Sequence, residues 1–258
     1  MNFYDAYIFD LDGTVYLGDQ LLPTAGDTIS RLRHMGKRTV FLSNNPTRTR
    51  EAYAAKLTRL GLPTADEDVI NSSYVMADFL TKQMPEANLF VVGEQSLCAE
   101  LERAGFTLTA DALAVDAVIA SFDRTFTYRK LPIAFDAINN GARFFATNAD
   151  RYCPVPGGGE PDAAAMIAAI AACTDQQVEA VVGKPSHHMA DAILGLLELP
   201  PEACLMTGDR LETDVLMGLN AGMAAALTLT GATSETAVAA SAIKPTYVIR
   251  QLAELLPE

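Results

Sequence analysis

The sequence predicts an α/β fold: a doubly wound parallel sheet with a second, smaller α/β domain inserted into it. Three observations carry this. Short, continuous apolar runs alternate with longer amphipathic stretches almost throughout the chain, and strands that are apolar on both faces belong to parallel sheets covered by helices. Several of the runs end in polar residues, and in open α/β sheets those strand ends are where ligands bind. One stretch, from about 81 to 180, repeats the alternation by itself between polar Gln83-Met84-Pro85-Glu86 and Thr174-Asp175-Gln176-Gln177.

Taken in order, the predicted strands lie at 7–11, 39–43, 89–92, 117–121, 144–147, 180–182, 204–207 and 224–228. Each is a run of three to five mostly apolar residues, too short for a helix and rich in residues that fit a pleated, buried surface; the shortest is Ala180-Val181-Val182. Helical stretches lie near 25–35, 48–60, 72–83, 95–104, 128–139, 162–172, 186–198 and 212–221. Pro185 keeps residue 184 out of a helix, and Ser186 then serves as the N-cap of the next one. The organisation expected is a larger domain from 1–80 and 181–258 with 81–180 as the insertion.

Half the residues are apolar and a fifth are charged, as in an ordinary globular protein. The net charge of −13, with no Lys/Arg cluster, sets a nucleic-acid partner aside. A small phosphate ester stays possible, because local cations and a metal can offset the overall field. Met1 leads directly into a polar, acidic segment and the first strand, with no basic leader, apolar core or spanning run. Cys98, Cys153, Cys173 and Cys204 are scattered, without a C-x-x-C pair, and read as reduced thiols. A cytoplasmic protein with no membrane partner is expected.

The residues that carry chemistry sit at strand ends. Tyr7-Ile8-Phe9-Asp10-Leu11-Asp12-Gly13-Thr14 is an apolar run closed by two carboxylates one residue apart, then a glycine. Consecutive strand side chains point to opposite faces, so Asp10 and Asp12 share one site only if the chain turns there, and Gly13 makes that turn cheap. Crowded carboxylates need a cation or a proton, which suggests Mg²⁺ with one carboxylate free to react. Alone, the same residues also describe a buried strand and an acidic turn. At the second strand end, Ser43 and the Asn44 backbone N–H could grip a phosphoryl oxygen, although Ser43-Asn44-Asn45 is equally good turn chemistry. The third is Gly183-Lys184-Pro185-Ser186, where Lys184 is a candidate fixed cation. The fourth is Thr207-Gly208-Asp209-Arg210-Leu211-Glu212-Thr213-Asp214, with Asp209 at the strand end and Asp214 near a helix start.

Together, and in this order, the four stretches resemble the haloacid dehalogenase (HAD) superfamily. The spacing resembles its NagD-like, 4-nitrophenylphosphatase group (subfamily IIA), whose inserted domain is a type 2 cap. Ser43-Asn44-Asn45-Pro46-Thr47-Arg48-Thr49-Arg50, Val91-Val92-Gly93-Glu94, Asn140-Gly141-Ala142-Arg143-Phe144 and Ala146-Thr147-Asn148-Ala149-Asp150 are also similar to that group. The resemblance covers essentially the whole chain and implies a Rossmann-like HAD core. It implies Mg²⁺-dependent hydrolysis of small phosphate monoesters, namely sugar phosphates, nucleoside monophosphates, glycerol phosphate or phosphoglycolate. Asp10 would be the nucleophile, forming an aspartyl-phosphate, and Asp12 the acid–base. Mg²⁺ would be held by Asp10, the Asp12 carbonyl and Asp209, and Asp214 would orient Lys184 or a metal-bound water. Lys184, Ser43, Asn44 and Asn45 would hold phosphate, with Arg210, Leu211, Glu212 and Thr213 close to substrate.

The cap would choose the leaving group, and the loop from Asn148 and Asp150 to Gly157-Gly158-Gly159 is the candidate contact. His187 and His188 read as exposed or capping positions. Two other readings compete: a phosphotransferase or phosphomutase on the same core, and a non-catalytic phospho-acceptor module. A monomer or homodimer is expected.

Overall fold

The computed structural model describes residues 2–155 and 157–256. The chain divides into two compact units, the first comprising 1–43, 50–70 and 184–258, the second 44–49 and 71–183.

In the first unit a six-stranded sheet runs in the order Tyr247–Ile249, Ala224–Thr228, Cys204–Gly208, Ala6–Asp10, Arg38–Ser43, Val69–Asn71. The first five pair parallel. All five residues of Ala6–Asp10 are buried, as expected for a strand at the centre of a sheet covered on both faces. Alternate residues Tyr7 and Phe9 share one face. There Tyr7 stacks on Phe9 with ring centroids 6.4 Å apart, and Phe9 meets Phe41 at 6.2 Å. Ile29 and Leu32 of the helix Ala25–His34, and Leu57 of Arg50–Arg59, join the same core. Burying one such side chain contributes roughly 1.5–3 kcal/mol.

The second unit holds a five-stranded parallel sheet in the order Ala180–Val181, Arg143–Ala146, Ala117–Ala120, Asn88–Val92, Thr107–Leu108. Its helices include Ser72–Gln83, Gln95–Arg103, Lys130–Asn139 and Ala163–Thr174. Phe79 of the first of these packs edge-on to Phe145 at 5.2 Å. Asn71 caps that helix by accepting the Tyr74 N–H, and Asp162 caps Ala163–Thr174.

Two segments differ from the sequence expectation. The stretch 148–159 enters an antiparallel hairpin, Tyr152–Val155 with Gly158–Pro161; its Pro156 lies outside the described residues. The glycines that suggested a loop serve as turn and second strand. The segment expected as a helix over 212–221 starts as a π-turn, Leu211–Val215, before Leu216–Asn220 continues as α-helix. No disulfide links the four cysteines. Among the described residues no helix is long and apolar enough to cross a membrane.

Candidate active site

Register brings the motif residues of the first unit to one edge. Asp10 lies opposite Leu42, so Ser43 stands one residue further along the neighbouring strand. On the other side Phe9 faces Thr207, which puts Gly208 and Asp209 at the same end. After Asp10 the chain turns sharply: the Val15 N–H reaches Leu11 O at 2.9 Å and the Gly13 N–H reaches Tyr16 O at 2.9 Å. Gly13 has φ +86°, and a Cβ there would come within 2.6 Å of Asp209 Oδ2. Both the conformation and the space therefore require glycine.

Lys184 Nζ donates to Asp10 Oδ1 and to Asp214 Oδ1, each at 2.6 Å. Asp10, Asp209 and Asp214 each bring one oxygen within 4.8 Å of the others, and all three are buried. One lysine against three carboxylates leaves negative charge in excess. Burial pushes the Asp10 carboxyl well above the ordinary range; Lys184 opposes this, while Asp214 and Asp209 reinforce it. Burial, then Asp214, raises Asp209 to about 6. For Lys184 burial acts downward, but Asp10 and Asp214 outweigh it and hold the ammonium charged. A buried, all-oxygen acidic set short of positive charge suits a hard divalent cation. Asp10, Asp209 and Asp214 are the described side chains that could hold one. Both oxygens of Asp214 already accept hydrogen bonds, Oδ1 from Lys184 and Oδ2 from the Arg210 N–H at 3.1 Å.

The π-turn explains how Asp214 gets there. Its side chain lies against Gly208, where a Cβ would meet Asp214 Cβ at 2.3 Å. A widened turn can bring the carboxylate back over the strand end, and such turns recur at functional sites.

The loop after Ala224–Thr228 supplies support that the motifs did not reveal. The Ala232 N–H donates to Asp209 Oδ2 at 2.6 Å, and Thr230 Oγ1 donates to Gly13 O at 2.7 Å. A Cβ on Gly231 would sit 2.0 Å from Asp209 Oδ2. The available signal was Thr228-Leu229-Thr230-Gly231, a further strand end with hydroxyls and a glycine.

The remaining candidates are placed as follows. Asp12 is exposed, and its Oδ2 accepts from Tyr16 OH at 3.3 Å. Ser43 Oγ donates to Tyr53 OH at 3.2 Å. In the second unit, Asn44 Nδ2 and Asn148 Nδ2 both donate to Asp150 Oδ2, at 3.0 and 3.1 Å. Asn148 also donates to Asp162 Oδ1 at 3.0 Å. Asn45 Oδ1 accepts from Thr47 N and Oγ1, a side-chain turn. Leu211 packs with Val215, Ala225 and Leu227, while Glu212 is exposed and Arg210 and Thr213 are half-buried. Ser186 caps its helix by accepting the His188 N–H, and the rings of His187 and His188 lie 4.0 Å apart.

The haloacid dehalogenase-like hydrolase model matches residues 7–107, and a second HAD-hydrolase-like model matches 181–255. The sugar-phosphatase AraL of Bacillus subtilis is 40% identical over 228 residues, covering 88% of this chain and 84% of that protein. Among solved structures, 4-nitrophenylphosphatase of Thermotoga maritima superposes with a TM-score of 0.94 at 34% identity, covering 98% of this chain and 96% of that one. NagD of E. coli K-12 does so at 0.91 and 30%, covering 99% of this chain and 100% of its own. Matches of this extent, on a chain whose four motif stretches lie in family order, show that it belongs to the haloacid dehalogenase-like hydrolases, among their NagD-like phosphatases.

Proposed function

We propose that this phosphatase hydrolyses small phosphate monoesters with Mg²⁺ bound, through an aspartyl-phosphate on Asp10. The observation that supports this best is Lys184 held by Asp10 and Asp214 at 2.6 Å beside Asp209. Lys184 fixes Asp10 through Oδ1, and Oδ2 is then the attacking atom. As Oδ2 bonds to phosphorus, the bond from phosphorus to the ester oxygen breaks and its electron pair stays on that oxygen. Asp12 delivers a proton there.

Water then attacks phosphorus, Asp12 takes its proton, and the bond to Asp10 breaks to release phosphate and the free carboxylate. Ser43, the backbone amide at Asn44 and Lys184 hold the phosphoryl oxygens. Asp10, Asp209 and the Asp12 carbonyl would hold the cation, which when bound neutralises charge between nucleophile and phosphate. Asp214 keeps Lys184 aimed.

The second unit acts as the type 2 cap and selects the leaving group, with the 148–159 segment as its specificity element. Sugar phosphates come first among the substrates, in line with the sugar-phosphatase relative; nucleoside monophosphates, glycerol phosphate and phosphoglycolate are the other members of the class. The enzyme would work in the cytoplasm as a monomer or homodimer.

The test is phosphate release from a broad panel of phosphate esters with no added acceptor. Release is expected with Mg²⁺, lost on chelation, and lost by at least about a thousandfold in Asp10→Asn with the fold retained. Asp10→Asn activity within about tenfold of wild type would remove Asp10 as nucleophile. Turnover only with an added alcohol would make the enzyme a phosphotransferase.

A further inference from the structure

We propose that Tyr16 is a positioning residue for Asp12, its hydroxyl fixing which carboxyl oxygen presents the proton to the leaving group. The idea rests on Asp12 being the acid–base of the reaction proposed above. Asp12 is exposed. Tyr16 is 1% exposed and embedded in the core with Phe9, Leu11 and Val15. The turn that begins at Asp12 returns the chain so that Asp12 and Tyr16 form a β-bridge, and Tyr16 OH then reaches Asp12 Oδ2 at 3.3 Å. A rigid phenol thus holds one oxygen of a surface carboxyl.

Lys56 strengthens the device. It is a buried lysine on Arg50–Arg59, and its Nζ lies 3.5 Å from the centroid of the Tyr16 ring. A cation over the ring face pins the ring and draws electron density from it, which makes the hydroxyl a better donor. With Oδ2 accepting from Tyr16, Oδ1 is the oxygen that would carry the proton when Asp12 acts as the acid. In the first step that proton passes to the ester oxygen while the phosphorus–oxygen bond breaks, and Asp12 is left as the carboxylate, with Oδ2 still held by Tyr16.

The experiment compares Tyr16→Phe with wild type on two esters. Glycerol phosphate leaves as an alkoxide that must be protonated, whereas 4-nitrophenyl phosphate leaves as a stable anion. The quantity read is kcat/KM, which covers the steps through formation of the aspartyl-phosphate. Tyr16→Phe is expected to lower kcat/KM for the alkyl ester about tenfold and for the aryl ester less than about twofold. The retained aryl activity shows that the variant has folded. An equal loss on both esters, or none on either, would overturn the proposal.

Asp12→Asn serves as the reference and should show a larger loss of the same selective kind. If Asp12→Asn is selective and Tyr16→Phe is not, only the Tyr16 role fails. If Asp12→Asn is not selective, the acid–base reading fails and the Tyr16 role goes with it.

Discussion

Asp209 is a carboxylate that the fold would rather keep neutral. Burial, and then Asp214, raise it from 3.8 to about 6, so between those values the folded chain holds a proton that the unfolded chain has released. A native state with the extra proton loses stability as pH rises. The metal-free enzyme should therefore become less stable between about pH 4 and pH 6, by up to about 3 kcal/mol from this group. Thermal unfolding in chelator measures the loss, and Asp209→Asn should flatten the slope. If Asp209 is a ligand as proposed, a cation takes the place of that proton, and Mg²⁺ should raise Tm more at about pH 7.5 than at about pH 5. A Mg²⁺ shift independent of pH and unchanged in Asp209→Asn would count against Asp209 as a ligand. Asp10 is pushed in the same direction, by burial first, with Lys184 opposing it.

At the scale of elements, the site is a set of strand ends locked by their loops. The Asp10–Tyr16 turn, the Gly208–Asp214 segment and the Thr228–Ala232 loop converge on Asp209 through one hydrogen bond and two glycines. Gly231→Ala tests that lock, because the new methyl would stand where Asp209 Oδ2 is, at 2.0 Å. Asp209 must rotate or the loop must shift. We expect Mg²⁺ affinity, followed by calorimetric titration, to fall by about tenfold or more while the sheet survives, since misplaced metal-site support costs about that much. Wild-type affinity would mean that the loop has slack the distances do not suggest.

This loop also marks where the sequence stopped being legible. Carboxylates and a lysine at strand ends announce themselves, because burying such groups next to an apolar run needs a reason. Thr230 and Gly231 look like any turn. Their role is steric and depends on which strand lies alongside, information that register supplies and composition does not. The π-turn at Leu211–Val215 was hidden for a related reason: its residues suit a helix, and Lys184, the partner of Asp214, lies far away in sequence.

Across the whole molecule, alternation of apolar runs and helical stretches was enough to predict the parallel sheets, and eight of the strands fall within a residue or two of their expected places. Short strands escaped notice. Val69–Asn71, Thr107–Leu108 and Tyr247–Ile249 have two or three residues, too few to show a period, and they exist because a neighbouring strand offers hydrogen bonds. In the second unit the Asn44–Asp150–Asn148–Asp162 network joins a motif loop to a helix cap through side chains far apart in sequence. Single-sequence spacing has no means of pairing them. The same four motif stretches that placed the chain in its family all lie outside the 81–180 segment, so the family was easier to read than the choice of substrate.

As the proposed nucleophile, Asp10 would become covalently phosphorylated during turnover. The direct measurement is to mix the enzyme and Mg²⁺ with an ester carrying radiolabelled phosphate, quench in acid during turnover, and map the label by peptide mass. Label is expected on the peptide containing Asp10, released by base and absent from Asp10→Asn. Turnover with no label on Asp10, or with label on another residue, would contradict it.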